Sequence, residues 1–259
     1  MDRSSWIKFV KARDRFRCIT EDLGRSLPKL KSIQQKFADS RTENASYIVE
    51  TPVVYNSALD DITIEDEIKL ILVADNPGRR EQAAENRRYL VGPSGKIAQK
   101  FFRDNPALGI DFLKNVVILN KTPIHSPRTV ELRELCRCSA SFTAKDGSAT
   151  LVAALDESQK AMAALLLEFH EALGTQVWIT GYSEMKKGGI FELYTEKVKE
   201  LYAKKPEFYK QLLFFRHFSM NQFTIDLKKQ ALPKEPVEKS LIRIGSAYRQ
   251  RILGNIVYT

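Results

Sequence analysis

The chain has 259 residues, 43% of them hydrophobic, which is enough to bury a core and long enough for one large domain or two small ones. Its 41 Lys and Arg outnumber 32 Asp and Glu, and the net charge of +9 suits either a polyanionic partner, nucleic acid first, or a lysine-rich solvated surface. Cys18, Cys136 and Cys138 are too few for a disulfide framework, no apolar segment follows the basic start as in a secretory leader, and no apolar run reaches the roughly 18 residues of a membrane span, so the expectation is a cytoplasmic protein.

Residues 1–67 read as a helical, basic extension packed on a core. Trp6, Val10 and Phe16 line one face of a first helix, and "SLPKLKSIQQKF" reads as a second, with Pro28 near its start. "SYIVETPVVY" is an extended arm; Pro52 argues against a central strand. No repeat at solenoid spacing and no low-complexity tract interrupts the chain.

Residues 68–227 form the core and carry four short apolar runs: "IKLILVA" from Ile68, "NVVIL" from Asn115, "QVWITG" from Gln176 and "QLLFFRH" from Gln211. Runs apolar on both faces are the mark of buried parallel strands. Helical patterns separate them. "KIAQKFF" follows the first run. "DESQKAMAALLLEFHEALG" sets Met162, Leu165, Leu166, Phe169 and Leu173 on one stripe and stops at Gly174, and "IFELYTEKVKELY" repeats the spacing through Ile190, Leu193, Tyr194, Val198 and Leu201. The predicted fold is α/β, a four-stranded parallel sheet with helices on both faces. Residues 228–259 add one basic helix, roughly Val237 to Leu253.

Such sheets bind ligands at the carboxyl ends of their strands. The first strand exits into Asp75-Asn76-Pro77-Gly78, the second into Asn120-Lys121-Thr122-Pro123 and the fourth into His217-Phe218-Ser219-Met220-Asn221. Two amides, a carboxylate and an imidazole therefore converge on one rim. Between the first strand and its helix lies "VGPSGK". A nucleotide-triphosphate loop needs Gly, four residues, then Gly-Lys-Ser/Thr; here Leu90 stands where the first Gly belongs and Ile97 where the hydroxyl belongs. Gly92–Gly95 remains either an ordinary turn and helix cap or a grip for a single phosphate.

The apolar strand, then Asn-Pro-Gly, then Val-Gly-Pro-Ser-Gly before a helix resembles the uracil-DNA glycosylase superfamily. Ala74–Gly78 matches its first motif, Tyr89–Gly95 its aromatic and small-residue segment, "VVILN" its strand ending in Asn120, and "HFS" from His217 its last motif. The resemblance spans about Ile68 to Leu227. It implies a three-layer α/β/α fold and hydrolysis of the N-glycosidic bond of uracil, or a related deaminated base, in DNA. The chain departs from the family at Ala74 (usually Gly), at Leu90 (usually Phe, with Tyr89 beside it) and in "HFSMN", which lacks both prolines and has Asn221 in place of a wedge leucine.

The resemblance assigns roles residue by residue. Asn76 positions the attacking water through its amide oxygen, with Asp75 as the competing candidate. Asn120 reads uracil with one donor and one acceptor. His217 donates to the uracil O2, and Tyr89 and Leu90 border the base. Gly92, Ser94, Lys96, Ser219, Met220 and Asn221 contact DNA, with Ser126, Arg79, Arg80, Arg87 and Arg88 as further phosphate candidates. A covalent branch of the family places an attacking histidine in a loop loosely matching that of His125. For each of these residues a turn, a cap or a solvated face is the competing account.

No cofactor, metal or iron–sulfur cluster is expected; Cys136 and Cys138 stand only two apart, and all three cysteines are expected to pack. No lysine occupies a motif position suited to a Schiff base, so the expected enzyme is monofunctional; a monomer is expected separately. Two alternatives stay open: a nucleic-acid-binding member of the same fold with altered catalysis, and a small-molecule nucleoside or nucleotide hydrolase.

Overall fold

A computed structural model describes residues 1–40, 47–139 and 150–254, without the side chains of Cys138 and Ser139. Ser46, the first residue of the predicted arm, lies outside the described residues. Four strands form one all-parallel sheet: β1 (Leu70–Ala74), β2 (Val116–Asn120), β3 (Gln176–Thr180) and β4 (Leu212–Phe215), in the order β2-β1-β3-β4. All four strands predicted from apolar runs are present; three are trimmed by one to three residues, and β2 is shifted by one to end at Asn120. β1 and β4 are buried at every position, which is why their sequences show no polar alternation.

Helices flank the sheet. In chain order they are α1 (Arg3–Ser26), α2 (Leu30–Asp39), α3 (Pro93–Asp104), α4 (Thr129–Ser139), α5 (Leu151–Leu173), α6 (Glu192–Tyr202), α7 (Pro206–Tyr209), α8 (Gln222–Gln230) and α9 (Val237–Leu253). α5 ends where expected: Gly174 is left-handed at φ 62° and its N–H returns to His170 O. The arm is extended, tied by an isolated antiparallel bridge between Val53 and Ile124.

The inward stripe of α1 is Phe9, Ala12, Phe16 and Thr20, with Trp6 and Val10 only partly buried. Phe9 meets Phe169 of α5 edge-on at 5.4 Å, so the basic extension is packed on the core. That stripe turns Cys18 outward, correcting the expectation that it packs, whereas Cys136 is buried.

One face of the sheet is organised around Trp178 on β3. Its indole stacks on Phe102 of α3 at 5.4 Å and on Phe223 of α8 at 5.9 Å, and meets Phe215 at 5.2 Å. α9 closes on the same face beside β4, where Gly245 lets the helix approach: a Cβ there would lie 2.7 Å from Leu213 Cβ. On the opposite face Ile71, Val73, Val177, Ile179 and Phe214 are equally buried.

Truncating the hub of this aromatic layer opens a large cavity. Trp178→Ala is expected to lower the unfolding free energy by about 3–5 kcal/mol, measured by urea denaturation.

Candidate active site

The strand order places a topological switch between β1 and β3, since the chain leaves β1 to one side for β2 and returns to the other side for β3. The crevice beyond such a switch is where open α/β sheets hold ligands. Asp75 leaves β1 at this point. Gly181 leaves β3 opposite it at φ 75°, and a Cβ on Gly181 would lie 2.3 Å from Asp75 Oδ1. The close approach and the left-handed backbone both call for glycine.

Lys121, the residue after β2, enters the same crevice and has no solvent exposure. Its ammonium donates to Asp75 Oδ1 at 2.5 Å, to Thr180 O at 2.6 Å and to Ala74 O at 3.4 Å, and lies 5.0 Å from the centroid of the Phe191 ring. Thr129 at the start of α4 donates to Asp75 Oδ2 at 2.9 Å. Burial opposes the charge on Asp75, but the Lys121 charge, the nearby His217 and the hydrogen bonds from Lys121 and Thr129 hold its carboxyl below the usual carboxylate range. Burial likewise draws Lys121 below the usual lysine range, against the pull of Asp75. Sequence reasoning passed over Lys121; the one available signal was a lysine directly after an apolar strand, at the edge where sites form.

Asn76 sits beside this pair and is less buried. Its Nδ2 donates to Ser126 Oγ at 2.9 Å and Ser126 O at 3.2 Å, which fixes the carboxamide orientation and turns Oδ1 towards Thr129 Oγ1 at 3.3 Å. Ser126 passes its own hydrogen to Arg128 O, so this serine serves the site from within.

Asn120 pairs with Ala74 across the last register position of β1 and β2. It is 1% exposed, and neither its Oδ1 nor its Nδ2 has a hydrogen-bond partner. A buried carboxamide with both ends unpaired is costly and rare in a finished core. The Asn120 carboxamide bears on the Tyr89 hydroxyl oxygen as a donor would, though without hydrogen-bond geometry, while the Tyr89 hydrogen goes to Val54 O at 2.6 Å and its ring packs near Phe16. Tyr89 thus borders Asn120 with its oxygen and faces the core with its ring.

His217 follows β4. Its Nδ1 accepts from Ser219 N–H at 3.0 Å, which in the neutral ring leaves the hydrogen on Nε2. Burial, reinforced by Lys121 and opposed by Asp75, holds the imidazole below its ordinary value. A neutral histidine with a free Nε2–H is a hydrogen-bond donor without a charge. The loop beyond is strained: Met220 and Asn221 are both left-handed, at φ 52° and 57°, and Met220 is 82% exposed. Two such residues in succession lift Met220 away from the protein.

Leu90 and Gly92–Gly95 form a second rim. Leu90 is buried and left-handed at φ 53°, and its carbonyl lies so close to Gly95 that a Cβ there would be 1.4 Å from Leu90 O. Gly92 caps α3, Pro93 opens it, and no acidic residue sits in its first turn beside Ser94 and Lys96. The N-terminus of α3 therefore keeps its positive dipole end uncompensated. Glu81, also missed in the sequence, links the two rims: it accepts from Gly78 N–H at 3.1 Å and Leu90 N–H at 3.0 Å, and burial raises its carboxyl to about 7. Of the arginines, Arg79 stacks 4.8 Å from the Tyr47 ring centroid and Arg88 pairs with Asp61 at 2.6 Å.

The remaining histidines are structural. His125 is fully buried, with Nδ1 2.8 Å from Pro77 O and Nε2 2.8 Å from the Tyr47 hydroxyl, so neither nitrogen is free to attack a sugar. His170 is bound at both nitrogens, by the Tyr202 hydroxyl and Gln211 Oε1.

Among the described residues no group of three or more His, Cys, Asp and Glu is placed to hold a metal ion, and no helix is long and apolar enough to cross a membrane. Compared with models of known protein families and with curated protein sequences, the chain matches none.

Burial lowers the His125 imidazole from 6.5 to about 4. As pH falls from about 6.5 to about 4 the unfolded chain takes up this proton and the folded protein does not, so stability present above that window is lost within it. The stability gap between wild type and His125→Phe is therefore expected to narrow by up to about 3 kcal/mol between pH 7 and pH 4, in paired urea titrations.

Proposed function

We propose that the protein hydrolyses the N-glycosidic bond of uracil, or a related deaminated base, in DNA, with a uracil-DNA glycosylase-like fold. The observation that carries this reading is Asn120. A buried carboxamide with an unpaired donor and an unpaired acceptor suits a ligand edge that presents one of each, as uracil does at O4 and N3–H. Cytosine presents the reverse pattern and would be matched only by a carboxamide turned over end for end.

The other groups take roles that fit their geometry. Asn76, anchored through Nδ2 on Ser126, turns its Oδ1 to hold the water that attacks C1′. The Asp75 carboxylate faces the positive charge that develops on the sugar and takes the water's proton. His217 donates from Nε2 to O2 as the glycosidic electron pair moves onto the departing base. Donors fixed before reaction at a developing anion supply a large part of such catalysis, about 10²–10³ in rate each.

The base must leave the stack to reach these groups. Met220, exposed at the tip of its strained loop, would fill the gap, with Ser219 and Asn221 beside it. The N-terminus of α3, with Gly92, Ser94 and Lys96, offers amides and charge to a phosphate. The net charge of +9 supports a polyanionic substrate over a free nucleoside. The protein would act as a monomer, without metal or cofactor.

Incubation with a uracil-containing oligonucleotide followed by alkali is expected to cleave the strand at uracil. Tight binding with no abasic product would instead support a catalytically altered DNA-binding protein. Asn76→Ala should cut turnover by at least a hundredfold with oligonucleotide affinity changed less than about threefold. Asn120→Asp should erode the preference for uracil over cytosine, because a carboxylate cannot donate to O4; an unchanged preference removes Asn120 from base reading.

A further inference from the structure

Lys121 has no part in the proposed chemistry, yet it is the most completely enclosed charge in the site. Its three ammonium hydrogens meet three acceptors, Asp75 Oδ1, Thr180 O and Ala74 O, one from a side chain and two from the ends of β3 and β1. An amine so committed is a fixed counter-ion and not a nucleophile.

We propose that Lys121 is a positioning residue for the glycosidic hydrolysis, locking the Asp75 carboxylate in place and in its charged form at the mouth of the crevice. The proposal rests on the hydrolase reading for the reaction it serves, and on contacts alone for its hold on Asp75.

The lock has three sides. Lys121 holds Oδ1, Gly181 lacks the Cβ that would displace Oδ1, and Thr129 holds Oδ2 from α4. The carboxylate therefore cannot turn away when substrate arrives. The pair is also graded in depth: the lysine side chain is 0% exposed and the aspartate side chain 10%. Its negative end is thus the one nearer solvent, and its positive end is fully buried. The other charged or titratable groups facing the pair are His217 after β4 and, acting on Lys121, Glu184 after β3, which is itself held by Arg133 at 3.1 Å. Without Lys121, Asp75 would be a carboxylate out of water with no full positive charge against it, and it would take up a proton.

Lys121→Met keeps the unbranched shape of the side chain, one atom shorter, and removes its charge. In wild type, the Asp75 carboxyl followed by ¹³C NMR should titrate below the usual carboxylate range, and in Lys121→Met it should titrate above that range. The acid limb of the single-turnover rate profile should move up by at least one pH unit, with oligonucleotide affinity within about threefold of wild type. A folded Lys121→Met with an ordinary Asp75 titration and an unmoved rate profile overturns the proposal. If wild type forms no abasic product, the hydrolase reading fails, while the carboxyl titration still decides whether Lys121 holds Asp75. If Lys121→Met does not fold, Gly181→Ala tests the same lock by pushing a Cβ into Oδ1. It should lower turnover at least tenfold with affinity retained, and full turnover there overturns the proposal.

Discussion

A carboxylate and an ammonium, both out of water, join the carboxyl ends of three neighbouring strands. Asp75 brings β1 into the contact, Lys121 brings β2, and the Thr180 carbonyl and the bare Gly181 bring β3. Each group alone would be costly to bury, and together they are tolerable because all three ammonium hydrogens meet acceptors and each carboxylate oxygen accepts a hydrogen bond. That constraint sets the geometry of the crevice. It explains why Gly181 must lack a side chain, why Thr129 opens α4 beside Asp75, and why Asn76, the next residue along, stands at the open edge.

The second rim is built on different physics. Leu90 occupies a left-handed conformation that costs energy, its carbonyl crowds Gly95, and Glu81 ties its amide to that of Gly78. The two ends of the connection from β1 to α3 are thus tied to one side chain, although eleven residues lie between Gly78 and Leu90. Strain at Leu90, Met220 and Asn221 falls around the crevice, and strained backbone of this kind persists where surrounding structure holds it.

Much of the fold was legible because burial writes a simple pattern. β1 and β4 are apolar at every position, so the strands announced themselves, and Gly174 announced the end of α5. The first helix was read through Trp6 and Val10 where Phe9 and Ala12 carry the contact, because aromatic residues appear on both sides of the stripe. The site was legible only in part. Asn76, Asn120 and His217 were visible as strand exits, and their positions follow from strand order. Lys121 and Glu81 were not, because a charged side chain near a strand end looks the same in sequence whether it is solvated or locked against a partner 46 residues away. Likewise nothing in the string of letters shows that the Tyr89 hydroxyl is spent on Val54, or that His125 is bound at both nitrogens.

The functional reading turns on an amide without partners in a place where partners are normally found. Proteins seldom leave both ends of a buried carboxamide unpaired unless something else completes the pairing. The most direct test is a crystal structure of Asn76→Ala bound to a duplex containing a single uracil. The account predicts the uracil turned out of the helix, with Asn120 in hydrogen-bond contact with O4 and N3 and Met220 in the vacated stack. A uracil still paired in the duplex, or an Asn120 satisfied by the protein's own groups, would contradict it.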